Sequence, residues 1–85
     1  MIATETEVLA EIRGIASREL ELERPIGLEQ ALVADLELDS MGLTVLAVGL
    51  ENRFRVKLSE DDAVGLRTVK DLVELVRRRL LEQSP

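Results

Sequence analysis

Asp39-Ser40-Met41-Gly42-Leu43-Thr44-Val45-Leu46-Ala47-Val48-Gly49-Leu50-Glu51-Asn52-Arg53-Phe54 is the stretch on which the fold turns. Leu43, Leu46, Ala47, Leu50 and Phe54 recur at helical spacing, so one side of this segment reads as a buried helix face. Asp39 or Ser40 can cap its start, because a short oxygen-bearing side chain there accepts a free backbone N–H. The other side is unusual. From Ser40 to Leu50 the chain runs 11 residues without a charge, which leaves Met41, Gly42, Thr44, Val45 and Val48 as a second uncharged surface. Two such stripes on one helix mean either a well-covered helix or an exposed contact face.

On the N-terminal side, Arg24 to Asp39 shows no sustained helical period. Pro25 and Gly27 punctuate its start, and Ile26, Leu28, Leu32, Val33, Leu36 and Leu38 are scattered through it. A connection this long is uncommon in a compact domain and is often functional. Its leucines are expected to pin it across the helices, with a short helical turn around residues 29–33. Before it, Thr4 and Glu7 have capping-box spacing, and Val8, Ile12 and Ile15 set an amphipathic stripe widened by Leu9 and Ala16. Pro25 closes that pattern.

On the C-terminal side, Arg53 to Leu58 alternates like a strand, but one isolated strand has no partner here and the reading is rejected. Ser59 and Asp62 repeat the capping-box spacing before a short helix that Gly65 interrupts. Thr68 and Asp71 repeat it again before Val69, Leu72, Val73, Leu75, Val76 and Leu80, with Glu74 and Arg78 spaced as a surface ion pair. The expectation is all-α: one domain over residues 1–85 forming a four-helix bundle, with three long helices, one short helix and a long first loop. The helices are placed at about 4–20, 40–55, 60–65 and 68–82. The expected core is Val8, Ile12, Ile15, Leu36, Leu43, Leu46, Leu50, Phe54, Leu72, Val76 and Leu80.

Composition narrows the function. The chain has 85 residues, 46% hydrophobic, with 17 acidic and 11 basic side chains and a net charge of -6. Residues 1–40 carry ten acids and three bases, and the remainder is nearly balanced. An acidic chain repels nucleic acid, so no nucleic-acid partner is expected. Arg77-Arg78-Arg79 reads as the last turns of a helix, where cations favour the negative end of the dipole. The absence of cysteine and histidine removes disulfides, thiolate metal sites, thiol nucleophiles and the usual general base. No membrane span is expected, because about 20 apolar residues are needed. The N-terminus is acidic and unlike a secretory signal. A cytoplasmic, monomeric protein that is not an enzyme is expected.

No catalytic residues and no metal site stand out. The paired acids Asp61-Asp62 and Asp35-Glu37-Asp39 lie at helix starts, where carboxylates cap, and no calcium loop of the required spacing occurs. Thr4, Ser59 and Thr68 are each accounted for as caps. Ser40 is different, since Asp39 beside it can already cap. A serine at that junction is exposed and lies at the positive end of a helix, where a phosphate is stabilised.

Asp35-Leu36-Glu37-Leu38-Asp39-Ser40-Met41 resembles the Asp-Ser-Leu signature of the acyl carrier proteins and related thiolation domains. The likeness extends beyond the motif. Val33-Ala34-Asp35-Leu36 is similar to the end of that family's first loop, and Leu50-Glu51-Asn52-Arg53-Phe54 to the end of its second helix. Ser59 to Ala63 resembles its short third helix, and Thr68-Val69-Lys70-Asp71-Leu72 its last one. The resemblance covers about residues 5–82. It implies a carrier whose Ser40 hydroxyl is covalently joined to 4'-phosphopantetheine, with Asp39 assisting by holding a metal or orienting the phosphate. A phosphopantetheinyl transferase, using coenzyme A and magnesium, would attach the arm. Acyl-loading, condensing or modifying enzymes would then act on the thioester it carries.

The departures from that pattern are specific. Met41 replaces the signature leucine, a volume-conserving change. Glu37 occupies a position that is often glycine in the family. Gly42 and Val45 fall where fatty-acid carriers usually place acids that pair with basic partners. A polyketide or other specialised pathway is therefore expected. The expected partner-recognition residues are Asp35, Glu37, Met41, Gly42, Thr44, Val45, Val48 and Arg53. A peptidyl carrier of a nonribosomal-type pathway, and an unmodified helical adaptor, are the alternatives.

Overall fold

The computed structural model describes residues 3–63 and 65–83. Its elements are α1 (Glu5–Leu20), α2 (Ser40–Phe54), α3 (Glu60–Ala63) and α4 (Val69–Gln83). Each start follows from the residue before it. The Glu7 N–H donates to Thr4 Oγ1 at 3.1 Å while the Thr4 N–H reaches Glu7 Oε1 at 3.4 Å, closing a capping box. Ser59 with Asp62, and Thr68 with Asp71, form the same reciprocal pair before α3 and α4.

The expectation of a four-helix bundle is corrected. Three helices make the packed unit: α1 lies against both α2 and α4, and α2 touches α4 less extensively. α3 is one turn of 4 residues, too short to present an apolar face of its own. A helix buries a face through residues three and four apart over successive turns, and one turn offers no second row. The expected span 60–65 also includes Val64, which lies outside the described residues.

The core is wholly aliphatic. Val8, Ile12, Leu46, Leu50, Val69, Val73 and Val76 are buried to within 1% of full occlusion. Leu43, Phe54 and Leu80, expected in the core, are instead half-buried on its flank. Arg53 lies over the Phe54 ring at 5.0 Å from the centroid, so that ring contacts a solvated cation. Gly49 lets α1 and α2 approach closely: a Cβ there would stand 2.6 Å from Ile15 Cδ1.

The long loop is part of the core rather than a cover over it. Ile26, Leu32, Leu36 and Leu38 are all buried, and Arg13 holds the Ile26 carbonyl through Nε and a terminal nitrogen at 2.9 and 2.7 Å. The loop also pairs with the approach to α4. Ala31 and Thr68 form an isolated antiparallel bridge, and the N–H groups of Val69 and Lys70 donate to the Gln30 and Leu28 carbonyls. Free amides at the head of α4 thereby find acceptors. On α4, Arg79 forms ion pairs with Asp62 and Glu82. The Glu74–Arg78 pair expected from spacing is not among those seen between described residues.

Candidate functional site

Asp39 and Ser40 divide the work at the head of α2. Asp39 is the N-cap, in extended conformation, and its Oδ1 accepts the Gly42 N–H at 2.7 Å. Ser40 is the first residue of the helix. Its carbonyl accepts the Thr44 hydroxyl at 2.9 Å, and its side chain is exposed. The capping role that would have explained this serine structurally belongs to its neighbour. A residue at that position lies at the partial positive end of the helix, which suits a phosphodiester.

Ser40 is among the residues lining an apolar cleft of about 390 Å³ between α2, the segment around α3, and α4. Leu32, Leu43, Ala47, Leu66, Leu72 and Leu75 contribute its apolar wall. Glu51 stands at its edge and accepts the Leu58 N–H at 2.8 Å, tying the exit from α2 to the helix. Leu32, Leu66 and Leu75 were not singled out as site residues from sequence. They come from the loop, the turn before α4 and α4 itself, and nothing in their spacing relates them to Ser40.

The expected recognition residues separate into three groups. Met41 and Val48 are strongly exposed, at 74% and 47%, and Thr44 is exposed beside them. Val33, exposed at 62%, also stands near Ser40 as part of the cleft lining; its isolation in an aperiodic stretch left no sequence signal. Gly42 is not on this face. It is buried, and a Cβ there would approach Leu38 Cδ2 at 3.2 Å. Val45 is half-buried against the core. Arg53 lies at the far end of α2, about 20 Å along the helix from Ser40, where its Nε is 3.7 Å from Glu11 Oε1.

The acids around the site are each engaged by the fold. Asp35 accepts the Ala31 N–H at 2.7 Å, and Glu37 pairs with Arg24 at 3.1 Å. Asp39 is committed to Gly42, and Glu51 to Leu58. At the rim of the cleft, the Arg79 guanidinium and the Ser59 amide hold the Asp62 carboxyl well below the usual carboxylate range. The Arg67 and Thr68 amides lower Asp71 in the same way. Among the described residues no group of three or more acids converges to hold a cation, and no helix is long and apolar enough to cross a membrane.

Comparison with known proteins agrees with this geometry. Residues 10–76 match the family model described as a phosphopantetheine attachment site. The chain is 35% identical over its full 85 residues to the meromycolate extension acyl carrier protein of Mycobacterium tuberculosis, spanning 68% of that protein. It is 32% identical over 79 residues to an acyl carrier protein of Rhodococcus erythropolis, covering 92% of this chain and 87% of the relative. Among solved structures, an acyl carrier protein of Thermotoga maritima superposes with a TM-score of 0.84 at 26% identity, over 94% of each chain. A chain with three packed helices, a buried first loop and an exposed serine at the head of α2 is thus matched over most of its length, and it belongs to the phosphopantetheine-binding acyl carrier protein family, whose covalent cofactor is 4'-phosphopantetheine.

Proposed function

We propose that the arm is attached at Ser40 and that this carrier serves a polyketide or other specialised acyl-building pathway. One observation carries the attachment reading. Asp39 supplies the cap of α2, so the Ser40 hydroxyl is spared a structural task, and Ser40 is exposed while also lining an apolar cleft. When bound, the arm supplies a terminal thiol, the nucleophile that a chain without cysteine lacks. The chain's own contribution is presentation. Ser40 offers its oxygen, the amides at the head of α2 stabilise a phosphate there, and Asp39 stands next in sequence to assist the transferase and its magnesium. Catalysis on the cargo belongs to the partner enzymes in this reading, which acts in the cytoplasm on a monomeric carrier.

Recognition is read as apolar rather than acidic. Asp39, Asp35, Glu37 and Glu51 are engaged by Gly42, Ala31, Arg24 and Leu58, while Val33, Met41 and Val48 are exposed and free to be covered. Partner enzymes that meet this face would use apolar contacts around the entrance for the arm, with Thr44 and Val45 completing the patch. The likeness of the whole chain to 68% of a carrier named for meromycolate extension favours an acyl-chain-building pathway over a peptidyl one.

Incubation with coenzyme A, magnesium and a broad-specificity phosphopantetheinyl transferase, followed by intact mass, tests the attachment site. The expected result is the mass gain of one arm in the wild type and none in Ser40→Ala, with unchanged circular dichroism. A gain that survives in Ser40→Ala would move the site elsewhere. No gain in either chain would favour an unmodified adaptor.

A further inference from the structure

The loop that leads to Ser40 ends in a backbone conformation its sequence does not favour. The Leu36 N–H returns to the Ala31 carbonyl at 3.1 Å, and the Leu38 N–H to the Leu32 carbonyl at 3.1 Å. The second return spans seven residues, Leu32 to Leu38, and passes through one left-handed position just before its end, a conformation that glycine adopts most readily. Glu37 fills it here, with φ 56°. A side chain there crowds its own backbone, so the conformation is costly and any contact that holds it stabilises the turn.

Arg24 bridges both sides of the turn. One terminal nitrogen donates to the Asp35 carbonyl at 2.9 Å, and the other donates to Glu37 Oε2 at 3.1 Å. An exposed ion pair contributes little by itself. This one is joined to a backbone carbonyl left without a helical partner, and it grips the one residue of the turn whose conformation is unfavourable. Leu38, immediately after, is buried against Gly42, and Asp39 and Ser40 follow directly. The register in which Leu38 enters the core is therefore the register in which Ser40 reaches the head of α2.

We infer that Arg24 is a positioning residue for Ser40: by clamping Asp35 and Glu37 it holds the left-handed turn that delivers Asp39 and Ser40 to the transferase in one arrangement. This rests on Ser40 as the attachment residue. Arg24 touches neither Ser40 nor the arm in this scheme; it acts through Glu37.

A double-mutant cycle separates this from direct contact with the enzyme. The same transferase with coenzyme A and magnesium is the probe, with KM and kcat measured separately for the carrier. Arg24→Ala is expected to raise KM about two- to fivefold with kcat unchanged, because a smaller fraction of chains present the serine correctly. Glu37→Ala should do the same. Glu37→Gly should keep the wild-type KM, since glycine adopts the turn unaided, and Arg24→Ala with Glu37→Gly should be restored to it. If the double variant stays as impaired as Arg24→Ala, or if Glu37→Gly is as impaired as Glu37→Ala, the clamp is wrong. Amide hydrogen exchange at Leu38 reads the clamp without any enzyme. It should quicken in Arg24→Ala and return in the double variant, and an unchanged rate in Arg24→Ala overturns the inference even if the wild type takes up no arm. Failure of the Ser40 reading shows separately, as a mass gain that persists in Ser40→Ala.

Discussion

Asp39 and Gly42 are joined by a 2.7 Å hydrogen bond from the Gly42 amide to the Asp39 carboxylate, and that bond leaves Ser40 out of the capping of its own helix. Helix caps are among the commonest duties of serine, so a serine next to a cap that does not cap has its hydroxyl free for chemistry. The structural cost of altering the two residues is correspondingly different.

Asp39→Ala should destabilise the fold by about 1 kcal/mol through loss of the cap, whereas Asp39→Asn, which can still accept the amide, should stay close to wild type. Ser40→Ala should change stability by less than about 0.5 kcal/mol, as exposed substitutions away from caps do. Urea titration by circular dichroism measures all three. If Asp39 also assists attachment, Asp39→Asn will take up the arm more slowly than wild type despite its intact fold.

Contact through the Met41–Val48 face predicts a particular response to salt. Raising the ionic strength from about 0.05 to 0.5 M shortens the Debye length severalfold and weakens exposed charge pairing, yet kcat/KM for the transferase should change little. Met41→Ser and Val48→Ser should lower it at every salt concentration while leaving the melting temperature nearly unchanged. A steep fall in rate with salt, with both serine variants normal, would instead return recognition to charged groups.

Core truncations should follow burial rather than side-chain size. Leu46→Ala and Leu50→Ala remove fully buried groups and should each cost about 2–5 kcal/mol, enough to unfold much of a domain this small. Phe54→Ala should cost less than either, because its ring is half-buried and partly covered by Arg53. Denaturant midpoints at equal m-values give the order.

Acid should weaken the C-terminal half through Asp62 and Asp71. Both carboxyls are held below their ordinary range in the folded chain, so each contributes stability that is present above a pH of about 4 and fades as pH falls through its folded value. Asp62→Asn and Asp71→Asn should therefore lower the melting temperature most at neutral pH. The gap to wild type should narrow steadily below about pH 4. A gap that is constant from neutral to acid pH would mean that neither charge matters.

Much of this architecture could be read directly from the chain because it rests on local rules. Three capping boxes, at Thr4, Ser59 and Thr68, mark helix starts through bonds spanning only three residues. The periodic stripe of Val8, Ile12 and Ile15 likewise marks its own buried face. The junction at Asp39-Ser40 was legible for the same reason, as was the resemblance it carries. The turn at Glu60–Ala63 adds no fourth packed helix to the bundle, because a cap shows where a helix begins but not whether the following turn finds anything to pack on.

Other features exist only once distant parts meet. Gly42 and Met41 are neighbours in an uncharged run, yet one is buried by Leu38 and the other is 74% exposed. The cleft beside Ser40 gathers leucines from the loop, the turn before α4 and α4 itself. Arg24 and Glu37 lie thirteen residues apart in an aperiodic loop and pair across it. Sequence alone determined the helix starts, the apolar stripes and the serine left spare beside its cap, since dihedral preference and hydrogen-bond spacing act within a few residues. Which face is covered, which acids are already paired and how the turn before Ser40 is held were decided by tertiary structure. Burial and long-range pairing depend on what the folded chain brings alongside, and no window of sequence contains that neighbour.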